Sequence, residues 1–273
     1  MTATEFVDAY RETGNQAVTT PLAPQRRRRA DRAREIADVL RQQIVYGALP
    51  EATLPVENAL VHEFGASRNT VREALGLLRD EGLVERVPGI GTFVVCEKYP
   101  HGLNTLLGLG ETLVGHGRVS NEVRSAGSVT APPAVARRLG LARPTRVVYL
   151  ERLRSLNGLV LSLDLTYLHP DVGEAVLAED LVANDVFVLI ERLCGKRLGA
   201  ADISVEAVNA DPHSAALLQV PEGSALLMVE RLAHLEDGRP VDLEYIRFRG
   251  DRVRMNGRLS RPNIASPGED PCR

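Results

Sequence analysis

A chain of 273 residues, 44% hydrophobic and 25% charged, has room for two modest domains and the composition of an ordinary globular protein, which excludes disorder throughout. There is no tryptophan and only 4% of residues are aromatic, so the cores must be built from leucine, valine and alanine. A net charge of −3 does not advertise nucleic acid, yet a DNA-binding module in a larger chain needs only a local cationic face. Cys96, Cys194 and Cys272 are far apart, odd in number and without Cys-x-x-Cys spacing, which argues against a disulfide framework and a zinc site. No metal or cofactor is expected, and a reducing cytoplasm is the natural home. No run approaches the roughly 20 apolar residues of a membrane span, and the first residues lack the apolar stretch of a leader, so the expectation is a protein neither inserted nor exported.

Residues 1–29 show no sustained period, contain Pro21 and Pro24, and end in Arg26-Arg27-Arg28-Arg29, which reads as a disordered basic arm. Such a run can follow a DNA backbone, although charge runs are more often simply solvated. A helix from Asp31 to Tyr46 comes next, with Ile36, Val39, Leu40 and Ile44 on one stripe and Gly47 as its stop. Residues 30–96 are expected to form one domain. Within it lie a short apolar helix from Glu57 to Phe64, a Gly65-Ala66 turn, a second helix opening at Ser67, and two short strands around Gly89-Ile90-Gly91. Projected at about 100° per residue, Val71, Ala74, Leu75 and Leu78 fall on one side of the second helix and Arg68, Arg72 and Arg79 on the other. With Ser67 as cap, Arg68, Asn69 and Arg72 are the first exposed side chains. Arginine can bond bidentately to guanine and asparagine to adenine, so the pattern reads as a winged helix-turn-helix; an amphipathic helix with merely solvated arginines is the competing reading.

Leu54-Pro55, Glu57, Ala59-Leu60, Phe64-Gly65, the run from Ser67 to Leu75, Leu78, Glu81-Gly82-Leu83 and Gly89-Ile90-Gly91-Thr92-Phe93-Val94 together resemble the DNA-binding signature of the GntR family of bacterial transcription regulators. The resemblance implies that Ser67, Arg68, Asn69, Thr70, Arg72, Gly89, Gly91 and Thr92 meet double-stranded DNA. The sequence departs from the family at Asn58, where an arginine is usual, and at Ile90, where a basic residue is common. Both changes subtract DNA contacts.

Residues 97–104, with Pro100 and Gly102, read as a linker, and residues 105–260 as a second domain. Gly108-Leu109-Gly110 lacks the third glycine and the strand–helix–strand context of a dinucleotide site; it reads instead as a turn whose amides open a helix from Glu111 to Val114, suited to an anionic group. Period two then appears. Arg146 to Ser155 and Gly158 to Leu168 are strands joined through Asn157-Gly158, followed by a helix near Val186 to Leu193, a strand from Ala201 to Val208, a helix near Pro212 to Gln219, and a hairpin of Leu226 to Leu235 and Pro240 to Phe248. The expected class is α+β: an N-terminal winged helix-turn-helix joined to an α+β domain on a central antiparallel sheet. Residues 261–273, rich in proline, are expected to fray.

Alternation puts Arg152 and Arg154 on one sheet face, with Ser162, Asp164 and Thr166 sharing a face of the partner strand. Either the arginines lie on a wet face or they converge with carboxylates on a small polar ligand. Glu151 to Arg154, Asp164 to Tyr167, Leu217 to Gly223, Asp237 to Pro240 and Phe248 to Arg252 resemble the effector domain of the HutC-type branch of the same family. What that resemblance implies is an effector held by Arg152, Arg154, Asp164, Asp185, Phe187, Asp242 and Phe248, to which the reading of the glycine turn adds Gly110. The function expected is that of a ligand-responsive regulator, a repressor working as a homodimer on a palindromic operator. An architectural DNA-binding protein without effector is one alternative. A lyase-like enzyme is another, against which stands the lack of any Ser-His-Asp, metal-ligand or phosphate-loop pattern; the six histidines, His62, His101, His116, His169, His213 and His234, are isolated.

Overall fold

The computed structural model describes residues 24–45, 49, 53–95, 98–142 and 144–260, in a chain that divides into two units, Met1–Val95 and Cys96–Arg273. The expected stop at Gly47, most of the basic arm, the tail and the cysteines Cys96 and Cys272 lie outside the described residues.

The first unit is built from helices α1 (Pro24–Val45), α2 (Glu57–Glu63) and α3 (Arg68–Asp80) and a hairpin of β1 (Val84–Val87) and β2 (Gly91–Val94). The hairpin pairs Val84 with Val94 and Val87 with Gly91, and Thr53 adds a bridge to Phe93. The last residues of the expected arm are helical, because α1 opens at Pro24 and takes in the four arginines. Proline suits a first helical position and arginine is a good helix former, so a charge run without apolar period was poor evidence for disorder. Arg29 then reaches Glu73 of α3 at 2.9 Å, and Arg32 donates to the carbonyl of Phe64 at 2.8 Å. The buried stripe of α1 is Ala33, Ile36, Ala37, Leu40 and Ile44, while Val39, expected on it, is 42% exposed. The stripe meets Leu60, Val71, Ala74, Leu78 and Leu83, a core of aliphatic side chains worth about 1.5–3 kcal/mol for each fully buried leucine.

The second unit adds β3 (Tyr99–Gly102), α4 (Leu109–Thr112), β4 (Val119–Thr130), α5 (Pro133–Arg138), β5 (Arg146–Leu156), β6 (Leu159–Leu168), α6 (Pro170–Leu177), α7 (Val186–Cys194), β7 (Leu198–Asn209), α8 (Pro212–Leu218), β8 (Ala225–Leu235), β9 (Pro240–Arg249) and β10 (Val253–Asn256). Six strands form one antiparallel sheet in the order β4-β5-β6-β9-β8-β7. The order is a palindrome of two halves, each running strand, helix, strand, strand, which meet along β6 and β9. The sequence echoes it: Glu151-Arg152-Leu153 recurs as Glu230-Arg231-Leu232, and the Asn157-Gly158 turn as Asp237-Gly238. Asn157 and Gly158 both take positive φ, 51° and 81°, as the tight turn matching the twist of its strands requires. Part of the expected linker is a strand, since Tyr99–Gly102 pairs in parallel with Val253–Asn256.

One sheet face packs α6 and α7 over Val148, Leu150, Leu168 and Val241, and the other carries α5 and α8 over Val147, Leu153, Leu163 and Leu243. Gly173 sets the approach of α6 to the sheet, for a Cβ there would lie 2.9 Å from the Val148 Cβ and 3.2 Å from the Leu168 Cβ. Gly173→Ala is expected to lower stability by about 1–3 kcal/mol through overpacking, read as a lower denaturation midpoint with an unchanged slope.

Candidate functional site

In the first unit Ser67 caps α3, its Oγ accepting from the Thr70 amide at 3.2 Å. Arg68, Asn69 and Arg72 are exposed along the start of the helix, and Gly89 is exposed at the hairpin tip, with Gly91 and Thr92 half-buried in β2. Thr70 is turned inward, 5% exposed, with its Oγ1 2.8 Å from the Ser67 Oγ, so it orders the cap instead of facing outward with its neighbours. Glu57 joins the helix to the hairpin: its carboxylate holds Arg72 at 2.8 Å and Arg86 of β1 at 3.2 Å. Glu57 entered the sequence analysis only as part of the family signature and Arg86 not at all, since the alternation of the four-residue β1 is too short to have flagged it.

In the second unit, the face bearing Arg152 and Arg154 is dry. Arg152 is 0% and Arg154 2% exposed, which rules out the solvated-strand reading. Register places Arg152 opposite Asp164 and Arg154 opposite Ser162, with Phe248 next across β9. Arg154 is fully engaged: it donates to the Asn121 side-chain Oδ1 at 2.9 Å and to Asp185 at 2.8 Å, and lies 3.6 Å from Asp164. Asp164 also accepts from Ser162 at 2.5 Å. Asp185, the N-cap of α7, accepts from the Gly110 amide at 3.1 Å as well, so the turn expected to hold an anionic ligand group already holds a carboxylate of the chain itself. Phe187 lies under the Arg231 guanidinium, 4.5 Å from carbon to ring centroid, and Arg231 pairs with Glu244 at 2.5 Å.

Against these satisfied groups stand several that are not. The three guanidinium nitrogens of Arg152, both carboxyl oxygens of Asp242, the Thr166 hydroxyl and His101 Nδ1 are buried without a hydrogen-bond partner. A buried polar atom without a partner loses about 1–3 kcal/mol, so these atoms are the ones on this face that can gain most from a water or a polar ligand. Arg231, Glu244, Asn121 and His101 are the members that sequence reasoning missed. The repeated Glu-Arg-Leu was the available signal for Arg231; His101 lay in a stretch read as linker.

Burial pushes the Asp242 carboxyl well above the ordinary carboxylate range, and the neighbouring Glu244 adds to the shift. Asp185 goes the other way: burial opposes its ionisation, yet Arg154 prevails and holds it at about 2. His101 is lowered to about 4, first by burial and then by Arg231, and so stays neutral. A cleft of about 250 Å³, lined among others by His101, Leu103, Thr105, Ala201 and Ile203, reaches Arg231.

A helix-turn-helix with a glycine-tipped hairpin, followed by a sheet domain with buried and unsatisfied polar groups, defines a DNA-binding transcriptional regulator with an effector-binding domain. Residues 32–94 match the bacterial regulatory proteins of the gntR family and residues 115–254 match the UTRA domain, and the chain belongs to the GntR family in its UTRA-bearing form. The HTH-type transcriptional regulator Rv0792c of Mycobacterium tuberculosis is 31% identical over 83% of this chain and 85% of its own. The transcriptional repressor NagR of Bacillus subtilis is 28% identical over 80% of this chain and 90% of its own. The crystal structure of PhnF from Mycobacterium smegmatis has the same fold, with a TM-score of 0.60 at 22% identity over 82% of this chain and 99% of that one. Among the described residues no helix is long and apolar enough to cross a membrane.

Arg154→Ala leaves Asp164 and Asp185 buried without their cation, and the expected loss is about 3–5 kcal/mol of stability; Arg152→Ala, which breaks no hydrogen bond, is expected to be far milder, and denaturant titration of the two compares them directly. Asp242 gives a pH signature. Its folded pKa lies above the unfolded one, so the stability it contributes is complete below the ordinary carboxylate range and is lost as pH rises through that range toward the raised value, at up to about 1.4 kcal/mol per pH unit. Asp242→Asn should remove this slope from melting profiles recorded against pH.

Proposed function

We propose that this regulator is a cytoplasmic repressor that binds a palindromic operator as a homodimer and lets go when a small polar metabolite enters the effector domain. Two recognition helices related by two-fold symmetry meet two half-sites, with Arg68, Asn69 and Arg72 over base edges and the hairpin glycines Gly89 and Gly91 allowing close approach to a phosphate backbone. Glu57 holds Arg72 in a defined pose before DNA arrives.

The observation that carries the effector reading is Arg152, a buried guanidinium with every nitrogen unsatisfied, on the same sheet face as Asp242 and Thr166 in the same state. An effector that satisfies these groups in one conformation and not in the other shifts the DNA-binding equilibrium by the difference. Arg152 takes the anchoring role expected of the arginine pair, and Arg154 keeps the site assembled. An architectural protein has no use for buried polar groups left without partners.

Operator binding, followed by release on titrating small acids, amino-acid breakdown products and sugar derivatives, tests both halves of the proposal. Arg68→Ala is expected to weaken specific binding by about 1–3 kcal/mol while leaving scrambled DNA less affected. Arg152→Ala is expected to bind the operator normally and to resist release. Equal losses on both DNAs would reduce Arg68 to a phosphate contact, and normal release from Arg152→Ala removes the anchor assignment.

A further inference from the structure

The effector face contains a receptor for an anion that is already occupied. Arg154 lies buried with its Nη2 2.8 Å from the Asp185 carboxylate, and the Gly110 amide reaches the same oxygen at 3.1 Å. The fit is close. A Cβ built on Gly108 would fall 2.5 Å from a carboxylate oxygen of Asp185, and one on Gly110 3.3 Å, so residues other than glycine at Gly108 would collide with the carboxylate. Asp185 also caps α7 through the Phe187 amide at 3.4 Å, which ties the occupant to a helix as well as to the sheet.

Charge sets what can enter beside it. Three guanidinium groups, Arg152, Arg154 and Arg231, face four carboxyl groups, Asp164, Asp185, Asp242 and Glu244, all on this face or packed on it. Carboxyl groups match the guanidinium groups when Asp242 holds its proton and outnumber them when it does not, so the cluster carries no excess cation before any ligand arrives. A dianion added to it would meet no uncompensated cation, and in a dry site an unmatched charge is strongly disfavoured. The groups still without partners are of mixed character: Arg152 offers donors, the Asp242 carboxyl offers an acceptor and, with its proton, a donor, and His101 Nδ1 and the Thr166 hydroxyl offer either.

We propose that Asp185 is a built-in occupant of an anion receptor formed by Arg154 and the Gly110 amide, and that the effector therefore enters as a molecule without net negative charge, a zwitterion or a neutral hydroxylated compound, received by Arg152, Thr166 and Asp242. This rests on the effector reading above and narrows it: phosphate esters and dicarboxylates are excluded, and compounds that pair an acceptor-rich group with an ammonium or hydroxyl donor are selected.

The receptor can be tested without knowing the effector. Asp185→Gly leaves an acetate-sized vacancy, and glycine is tolerated at a helix N-cap. In thermal melts of the full chain at constant ionic strength, sodium acetate is expected to raise the midpoint of Asp185→Gly saturably, with an affinity at least about tenfold above that of neutral acetamide, and to leave the wild type unmoved. Should Asp185→Gly fail to fold, Asp185→Ala with formate asks the same question of a smaller vacancy. No acetate- or formate-dependent gain in either variant overturns the receptor. The charge rule has its own arm, in which inorganic phosphate and glucosamine 6-phosphate are added to the wild type. Neither is expected to shift the midpoint saturably, and a saturable shift that Arg152→Ala abolishes overturns the rule. Acetate-dependent stabilisation of Asp185→Gly, together with a wild type that no metabolite releases from DNA, would retain the receptor and sink the effector reading.

Discussion

Seven ionisable side chains buried on or against one face of a sheet are the constraint to which the second domain answers. Each guanidinium or carboxylate removed from water loses several kcal/mol of hydration, and only near-complete pairing returns it. Arg154 is paired on every side and Arg231 is closed by Glu244, its neighbour across the ladder. Arg152 sits opposite Asp164 in the same way, but Asp164 is one methylene shorter than Glu244 and already serves Ser162 and Arg154. Two equivalent hairpins that differ here by a single CH₂ thus have one guanidinium paired and the other without a hydrogen-bond partner. The site is what remains when a nearly symmetric frame is satisfied on one side only.

Much of this was legible in the chain. The cationic sector of α3, its Ser67 cap and the glycine-tipped hairpin follow from local rules that the structure obeys, because capping and helical period depend on near neighbours. The hairpins around Asn157-Gly158 and Asp237-Gly238 were legible for the same reason. The long edge strand β4 was not, since an edge exposed on both faces has no apolar alternation to read: its burial shifts between exposed and half-buried from Val119 to Thr130. Pro170–Leu177 and Pro133–Arg138 are short helices whose apolar residues are too few to set a period.

Alternation placed the arginine pair and Asp164 on one face, as the structure has them, and did not show which of the two arginines is paired. Arg152 and Arg154 look alike at the level of alternation. Which of them is left without partners depends on Asn121 from β4 and Asp185 from α7, residues far away in the chain whose approach no pattern announces. Arg231 was concealed differently, by a repeat that is plain once the two hairpins are aligned. Its guanidinium over Phe187 shows that the aromatic ring serves the network and not only the core.

The duplicated topology also orders the folding of the domain. Four of the five ladders in the large sheet join strands of the same half, and only β6 with β9 joins the halves. Local pairings close small loops, whereas the β6–β9 ladder and the parallel pairing of Tyr99 with Val253 close very long ones. Arg152 and Asp164 belong to one half, and Arg231, Asp242 and Glu244 to the other. Bringing them onto one face therefore requires the β6–β9 ladder, while their dehydration requires α6 and α7 to pack over that face. A ligand that binds only once both halves and their covering helices are in place would slow unfolding more than it speeds folding, and would register as a longer lifetime of the native domain.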